Sequence, residues 1–397
     1  MRVSHLSLVD FRNYEAAEVE FAVGPNLLLG RNGQGKTNLV EAIGYFSTLR
    51  SHRVSSDSAL IRSGEESAVA RVRVEATGRS VLLEIHIKRD RRNLAMVNRN
   101  PVRPRELMRW IATVAFVPED LSIVRGDPSG RRRFLDDALS SRFPIAAGAL
   151  ADYERVLRQR TSLLKSARRG SVRSLESTLE VWDEQLIAFG TQIMLGRREL
   201  VDDLRGPLGT AYEALVGQDH APGLALVESV YASGGIDEVS RETGSGSAKG
   251  SGEGTVSRET LARDFRAALT EARPKEIERG LTLVGPHRDD VFFTLNDLPV
   301  KGYASHGESW SFALSLKIAL ANVLRTDSPA GDPVIVLDDV FAELDRGRRE
   351  RLMRAVSDFE QILVTAAAAE DIPDSVDWHR IYIDDGAVVE GPPDGLE

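Results

Sequence analysis

The chain has 397 residues, 42% of them hydrophobic, with no cysteine and a formal net charge of −9. That length allows roughly two or three domains with real cores, and the absence of thiols excludes disulfides and thiolate metal centres. No apolar run approaches a membrane span and MRVSHLSLVDF lacks a secretory-leader pattern, so a soluble, cytoplasmic protein is expected; the acidic total argues against a protein that coats nucleic acid.

Residues 1–25 read as paired strands. Val3, Leu6 and Leu8 lead into Asp10-Phe11-Arg12-Asn13-Tyr14, and Val19, Phe21 and Val23 then alternate with acidic or small residues. Gly24-Pro25 turns the chain into a further apolar run, Leu27–Leu29. That run enters Gly30-Arg31-Asn32-Gly33-Gln34-Gly35-Lys36-Thr37, which satisfies G-x-x-x-x-G-K-[ST]. A helical pattern follows, with Leu39, Val40, Ile43 and Phe46 on one face. Strand, glycine loop and helix are the context in which this motif binds a nucleoside triphosphate. The glycines let successive N–H groups point inward at phosphate oxygens, and the helix adds its positive dipole end. Lys36 is placed to reach the β- and γ-phosphates, and the Thr37 hydroxyl to ligate Mg²⁺. A glycine-rich turn that only mimics the pattern is the competing reading, and the flanking strand and helix disfavour it.

Downstream, Ser47–Arg53 reads as a basic turn, Val69–Glu75 and Ser80–Lys88 as a hairpin, and Asn98–Val102 as another turn. Trp110–Val117 is apolar enough for a buried strand, closed by Pro118. Local basic clusters stand out against the acidic total: Lys88-Arg89-Asp90-Arg91-Arg92, Arg131-Arg132-Arg133, Arg155 to Arg160, and Arg168-Arg169. Of the 51 basic residues only seven are lysines, which suits planar phosphate or carboxylate recognition. Each cluster by itself reads first as a solvated face.

From Gly126 the text turns helical. Asp127-Pro128-Ser129 is a helix entry, and apolar residues spaced by three and four run through residues 129–216, marking packed helices too short for a long coiled-coil arm. Gly170-Ser171 is a candidate bend, and the Gly/Ser-rich stretch 234–256 reads as a disordered loop. A helix over Leu261–Ala272 is expected to close at Arg273-Pro274, followed by strand-like text over Leu281–Phe293.

Near the end, Pro333-Val334-Ile335-Val336-Leu337-Asp338-Asp339 describes a buried strand whose tip carries carboxylates. Asp338 would hold Mg²⁺ through water, and Asp339 would polarise an attacking water. Upstream, Ser305-His306-Gly307-Glu308 opens a helix, forming a second anion site. Since residues 30–37 already cradle the phosphates, this second site must serve a different nucleotide or a second copy of the chain. Ala342-Glu343-Leu344-Asp345 would then line a subunit junction.

This order of motifs resembles the SMC-like ATP-binding-cassette ATPases. Further stretches narrow the likeness: Phe11-Arg12-Asn13-Tyr14, GRNGQGKTNLVEAI, Leu49-Arg50-Ser51-His52-Arg53, Phe116-Val117-Pro118-Glu119-Asp120-Leu121, Arg131–Asp136, Gly285–Asp290 and Leu337–Phe341. As an ordered set over about residues 1–365 they are similar to the RecF family. The resemblance implies an α/β fold, an ABC/SMC-type P-loop ATPase head with a compact helical arm inserted. Its boundaries would be residues 1–125 and 276–397 for the two halves of the head and 126–275 for the insertion. It implies ATP with Mg²⁺, a homodimer closing on ATP, binding of single-stranded and double-stranded DNA at their junctions, and work with RecO and RecR in loading RecA at gaps. DNA repair, replication restart and the SOS response follow from that role. No membrane is involved.

Carried over by position, Gly30, Arg31, Asn32, Gly33, Gln34, Gly35, Lys36 and Thr37 bind ATP, and Thr37 and Asp338 serve Mg²⁺. Asp339 stands where most of the wider superfamily has a catalytic Glu. Ser305, Gly307 and Glu308 contact the partner's nucleotide, and Asp345 is the junction residue. Arg50 and Arg53 fall where related ATPases have a basic loop near ATP and DNA; with Arg131, Arg132 and Arg133 they are the candidates for DNA phosphates. Ser309 stands where the signature usually continues with Gln, and Ile362-Leu363-Val364 runs into Thr365-Ala366-Ala367 without a switch His, so turnover is expected to be slow. Two other classes are set aside. A nucleotide kinase would not need the Ser305–Glu308 helix start, and a transporter's ATPase subunit would lack the charged helical insertion. A GTPase is disfavoured because no N-K-x-D motif occurs.

Overall fold

A computed structural model describes residues 1–168, 175–232, 256–328, 330–373 and 376–392. The Gly170-Ser171 bend and nearly all of the 234–256 loop lie outside the described residues. In chain order the strands are β1 (Arg2–Phe11), β2 (Tyr14–Glu20), β3 (Gly24–Leu29), β4 (Ser67–Ala76), β5 (Arg79–Lys88), β6 (Leu94–Val97), β7 (Asn100–Val102) and β8 (Thr113–Phe116). They continue as β9 (Gly223–Val227), β10 (Asp290–Leu295), β11 (Leu298–Pro299), β12 (Val334–Asp338), β13 (Gln361–Ala366), β14 (His379–Asp384) and β15 (Ala387–Val389). The longer helices are α1 (Lys36–Thr48), α2 (Pro128–Arg142), α3 (Ala146–Arg168), α4 (Leu175–Val216), α5 (Arg258–Arg279), α6 (His306–Asp327) and α7 (Arg346–Val356). Two units result, one from Met1–Leu121, Gly206–His220 and His306–Glu397, the other from Ser122–Arg205 and Ala221–Ser305. Residues 276–305, grouped with the head on sequence, therefore fall in the helical unit.

The first unit holds two six-stranded sheets. One is antiparallel in the order β2-β1-β4-β5-β6-β7, and its alternation is regular: Ala68, Ala70, Val72 and Val74 of β4 and Val81, Leu83, Ile85 and Ile87 of β5 are buried. The sequence turn at residues 98–102 is a tighter hairpin than expected, with Asn98 and Arg99 in left-handed conformation (φ 49° and 66°) between β6 and β7. The other sheet, β15-β14-β3-β13-β12-β8, is parallel through its five strands from β14 to β8. Its central strands are apolar on both faces, as a parallel sheet covered on both sides requires; Val334 to Asp338 are all buried. Helix α1 supplies one cover. Leu39, Val40, Ile43 and Phe46 join residues of both sheets in one core. Gln361, at the start of β13, ties the two sheets: its amide donates to Val3 O (2.7 Å) and accepts from Val3 N (2.8 Å).

The second unit packs α2, α3, residues 175–205 of α4, and α5 with a three-stranded sheet, β11-β10-β9. Tyr153, Val156, Leu186, Ile187, Met194, Leu261 and Phe265 form its core. Helix α4 has 42 residues and ends at Val216, where the helical periodicity read from the sequence ends. Helix α5 corrects the expected close at Arg273-Pro274, because it runs through Pro274 to Arg279 and stops at left-handed Gly280. An interior proline removes one hydrogen bond, and ion pairs on either side of it compensate: Arg273 with Asp183, and Glu276 with Arg160 (2.6 Å). The expected strand over residues 281–293 is confined to β10. Gly285 at φ 126° and the short turn Pro286–Arg288 break the extended run.

Arg160 is the buried hub of this unit, donating to Asp183 (2.6 Å), Glu276 (2.6 Å) and Thr282 Oγ1 (2.9 Å). Removing one member of a buried ionic cluster leaves the others uncompensated and costs about 3–5 kcal/mol. Arg160→Ala should therefore lower the urea midpoint by that equivalent, and Arg160→Lys should not rescue it, because an ammonium cannot span a planar three-acceptor fork. An unchanged midpoint would refute the role.

Candidate nucleotide site

Strand β3 ends at Leu29 and α1 begins at Lys36, capped by Gly35 at φ 118° without a side-chain hydrogen bond. The amides of the first helical turn have no intrahelical partner and carry the positive end of the helix dipole. Glycine is required at position 35 twice over. Its φ disfavours any side chain, and a Cβ there would lie 2.6 Å from Tyr14 Oη and 2.8 Å from Asn13 Nδ2. The loop is held from outside. Asn13 Nδ2 donates to Gln34 O (3.0 Å), Gly386 N donates to the same carbonyl (3.1 Å), and Asp385 N donates to Gln34 Oε1. Asn38 Nδ2 in turn donates to Asn13 Oδ1 (2.7 Å). The turn Arg12-Asn13 and the β14–β15 turn thus fix the loop's apex.

Lys36 is 3% exposed, and its Nζ donates to Gly30 O (2.6 Å) and Arg31 O (3.0 Å). Burial holds its ammonium below the ordinary lysine range, while Asp339 and Asp338 pull the other way. Across the parallel sheet, Asp338 ends β12 and accepts from Thr37 Oγ1 (3.0 Å) and Thr365 Oγ1 (2.6 Å). Burial pushes this carboxyl above the usual aspartate range, the Thr365 hydrogen bond opposes that, and neighbouring Asp339 adds to it. Asp339 itself sits in left-handed conformation (φ 52°) and donates its N–H to Thr365 Oγ1 (3.0 Å). Such backbone strain concentrates at functional sites. Lys36, Thr37, Asp339 and Thr365 line a cleft of about 420 Å³ with Gly33, Gly35, Asn32, Arg53, Pro118, Phe341 and Ala342–Glu343, and Asp338 stands behind Thr37 and Thr365.

This arrangement fits a triphosphate with a divalent ion. Gly30–Thr37 supply a concave loop, a helix N-terminus and one buried ammonium; Thr37 and Asp338 supply paired oxygen donors that suit Mg²⁺. Asp339 lines the same cleft.

A second set of residues, given no role by sequence reasoning, adjoins the cleft. Glu41, one turn past Thr37 on α1, is buried and accepts two hydrogen bonds from Arg12 (2.8 and 2.6 Å) and one from Ser51. These partners, more than balancing desolvation, hold its carboxyl below the usual range. Arg53 approaches the same carboxylate at 3.6 Å and donates to Asn38 Oδ1 (2.8 Å). The four-residue offset from Thr37 was visible in sequence, but not Arg12 folding back onto it.

Within the first unit, Gly307 of the signature lies against the helix that Asp345 caps. Gly307 and Glu308 open α6, and a Cβ on Gly307 would lie 3.1 Å from Arg348 Nη1. Arg348 pairs with Asp345 (3.5 Å), which caps α7 by accepting from Arg348 N (2.9 Å). Neither Gly307 nor Glu308 is among the residues lining the phosphate cleft. Ser305 is exposed, and Ser309, the departure from the usual signature, is buried.

The arginine candidates divide. Arg50 and Arg133 are exposed, and Arg53 stands at the cleft wall. Arg131 is buried and bound to both oxygens of Asp290 (2.6 and 3.0 Å) and to Gly126 O. Arg132 donates to Asp289 O (2.9 Å). Arg131 is therefore a structural residue and not a phosphate contact, and Arg132 is tied down beside it; Asp289 and Asp290 lie more than 150 residues away in sequence.

Gly35→Ala should weaken ATP binding about 10–100-fold, corresponding to about 1–3 kcal/mol of backbone strain. Asn13→Ala, which removes hydrogen bonds of about 0.5–1.5 kcal/mol each, should weaken it up to about tenfold without changing the melting temperature appreciably. Titration with a fluorescent ATP analogue measures both. Undiminished affinity of Asn13→Ala would show that the loop needs no outside support.

A family model described as the RecF/RecN/SMC N terminal domain matches residues 2–389. The DNA replication and repair protein RecF of Clavibacter michiganensis subsp. michiganensis (strain NCPPB 382) is 54% identical, over 100% of this chain and 98% of that protein. The RecF protein of Leifsonia xyli subsp. xyli (strain CTCB07) is 51% identical, over 98% of this chain and 100% of that protein. Among solved structures, the recombination mediator protein RecF-ATP in the RecFOR pathway matches with a TM-score of 0.83 at 28% identity, covering 98% of this chain and 96% of that one. An SmcHead bound to the C-winged helix domain of ScpA, at 14% identity, a TM-score of 0.53 and coverage of 98% and 96%, shares the fold alone. The architecture is that of ABC/SMC-type ATPase heads, and the chain belongs to the RecF/RecN/SMC N-terminal domain family, within it to the RecF proteins.

Proposed function

We propose that this protein is an ATP-dependent recombination mediator that closes as a homodimer on ATP, binds single-strand/double-strand DNA junctions at gaps, and works there with RecO and RecR to load RecA. Repair, replication restart and the SOS response are the processes it would serve, in the cytoplasm. The names of its full-length relatives, which speak of DNA replication and repair, of ATP and of the RecFOR pathway, support this reading. The observation that carries it is the split between the phosphate cleft, with its Thr37–Asp338 pair, and a signature helix start that does not line it. Ser305, Gly307 and Glu308 then act on the nucleotide of a second copy, with Asp345 at the junction, and a two-fold arrangement completes both sites at once.

In this reading Gly30–Thr37 bind the triphosphate, and Lys36 leaves its loop carbonyls for the β- and γ-phosphates. Mg²⁺, held by Thr37 and Asp338, would neutralise charge on the phosphate oxygens. Asp339 orients the attacking water and accepts its proton. The shorter carboxylate, and the lack of a switch His after Ile362-Leu363-Val364, make a slow ATPase suited to a timed clamp. Arg50, Arg53 and Arg133 remain candidates for DNA phosphates, which position without reading sequence.

Sedimentation should find a monomer without nucleotide and a dimer with ATP and Mg²⁺; one species under both conditions would sink the split-site reading. Lys36→Ala should abolish closure, whereas Ser305→Arg should leave ATP binding intact and prevent dimerisation. Asp339→Asn should keep the dimer but slow hydrolysis by about 10²–10⁴-fold, the usual worth of a positioned base. Parental turnover in that variant would remove Asp339 from the chemistry.

A further inference from the structure

One basic segment is absorbed neither by the nucleotide site nor by the arginines considered above. Residues 88–109 carry eight basic side chains and two acidic ones, a net charge of +6 that leaves −15 on the rest of the chain. Structurally they form the end of β5, the hairpin β6–β7 and the turn after it, at one edge of the antiparallel sheet. Arg89, Arg91, Arg92, Arg99, Arg103, Arg105 and Arg109 are all exposed.

Their charge is not cancelled internally. Among the described residues, none of these seven guanidinium groups is paired with a carboxylate; Arg89 donates to the backbone carbonyl of Glu65 (2.9 Å). Of the two acids within the segment, Asp90 is exposed and Glu106 accepts from the backbone N–H of Arg103 (3.3 Å), while Glu84 on the preceding strand is taken by Arg71 (2.7 Å) and His86. Charge repulsion among them is left for an anionic partner to relieve.

The register sorts them into two groups. Ala95 pairs with Val102, so Arg103 lies beside the entry to β6 where Arg91 and Arg92 arrive, whereas Arg99 occupies the opposite end in the left-handed turn. Four strand residues separate the ends, about 10–14 Å at the usual rise, comparable with the roughly 12 Å width of a DNA major groove. The sheet edge itself is unsuited to adding a peptide strand, because β7 has three residues and Pro101 at its centre lacks an N–H. An open groove of about 740 Å³ runs from Arg12, Asn38 and Arg53 beside the phosphate cleft to Arg89, where the basic segment begins.

We propose that the β5–β7 edge, with Arg91, Arg92, Arg99 and Arg105 as its contact residues, is a docking surface for the phosphate backbone of duplex DNA flanking a gap. It rests on the reading of the protein as a DNA-binding mediator and names a surface for it. Contacts are to phosphates, so the surface has no sequence preference, and its groove to the cleft places Arg53 between nucleotide and DNA.

The test uses the full-length protein with ATP and Mg²⁺ and a fluorescent gapped duplex, titrated at several salt concentrations. The triple variant R91Q/R92Q/R105Q should lose at least about tenfold in affinity at near 0.1 M salt, and its log K against log salt slope should fall by about 2–3, at about 0.9 per lost phosphate contact. ATP binding and nucleotide-driven association should be unchanged, and R155Q/R158Q, on the exposed face of α3, should bind DNA as the parent does. Parental affinity and slope in the triple variant, with wild-type binding intact, would overturn the surface alone and leave the mediator reading standing. If wild type itself binds no DNA, both fall, and an acidic protein partner becomes the occupant to test.

Discussion

A single carboxylate holds the first unit's chemistry together. Asp338 accepts from Thr37 across 301 residues of sequence and from Thr365 across 27. Burial makes that charge costly unless its lone pairs are met, so the two hydroxyls must be delivered accurately, and the parallel register delivers them. Thr365 pairs with Asp338 between β13 and β12, and with Leu28 between β13 and β3. One strand therefore indexes the glycine loop against the acidic tip, and the cleft's geometry follows from backbone hydrogen bonds far from it.

The glycine loop beside that carboxylate is held from two sides. The Gln34 carbonyl is gripped from outside by Asn13 and Gly386, while Lys36 covers the carbonyls of Gly30 and Arg31 from inside. Gly33, Gly35 and Lys36 line the cleft. The Arg12–Glu41–Arg53 cluster extends the same order outward, since Arg53 is anchored by a buried carboxylate that Arg12 already satisfies.

The helical unit obeys a different constraint. Its helices carry many charges, and two buried arginines organise them. Arg160 joins α3, α4, α5 and Thr282; Arg197 holds Asp136 (2.7 Å) and Pro286 O (2.7 Å). Around the second, His287 is pushed down to about 3 by burial and Asp289 up to about 7 by the same cause. The stretch Gly285–Asp290 is thus a structural knot as well as a family mark. The polar network and the close approach of Gly190 to Phe265, where a Cβ would sit 2.6 Å from the ring, give this unit a specific packing that greasy helices alone would not.

The sequence by itself determined what depends on neighbours a few residues apart. The glycine loop, its flanking strand and helix, the Val334–Asp339 strand, the β4–β5 hairpin and the helical periodicity after Gly126 were all legible there, because glycine conformation, alternation and 3.6-residue spacing are local properties. Tertiary structure decided everything that rests on a distant partner. Arg131 and Arg53 look alike as text, yet Asp290 buries the first and Glu41 sets the second at the cleft wall. Pro274 reads as a helix stop, and ion pairs from Asp183 and Arg160 carry the helix past it. The cluster at residues 88–92 reads as a solvated face, and only the pairing of β6 with β7 brings Arg99 and Arg103 to the same sheet edge. An ion pair's energy depends on distance in space and on burial, and neither is written in the order of the residues.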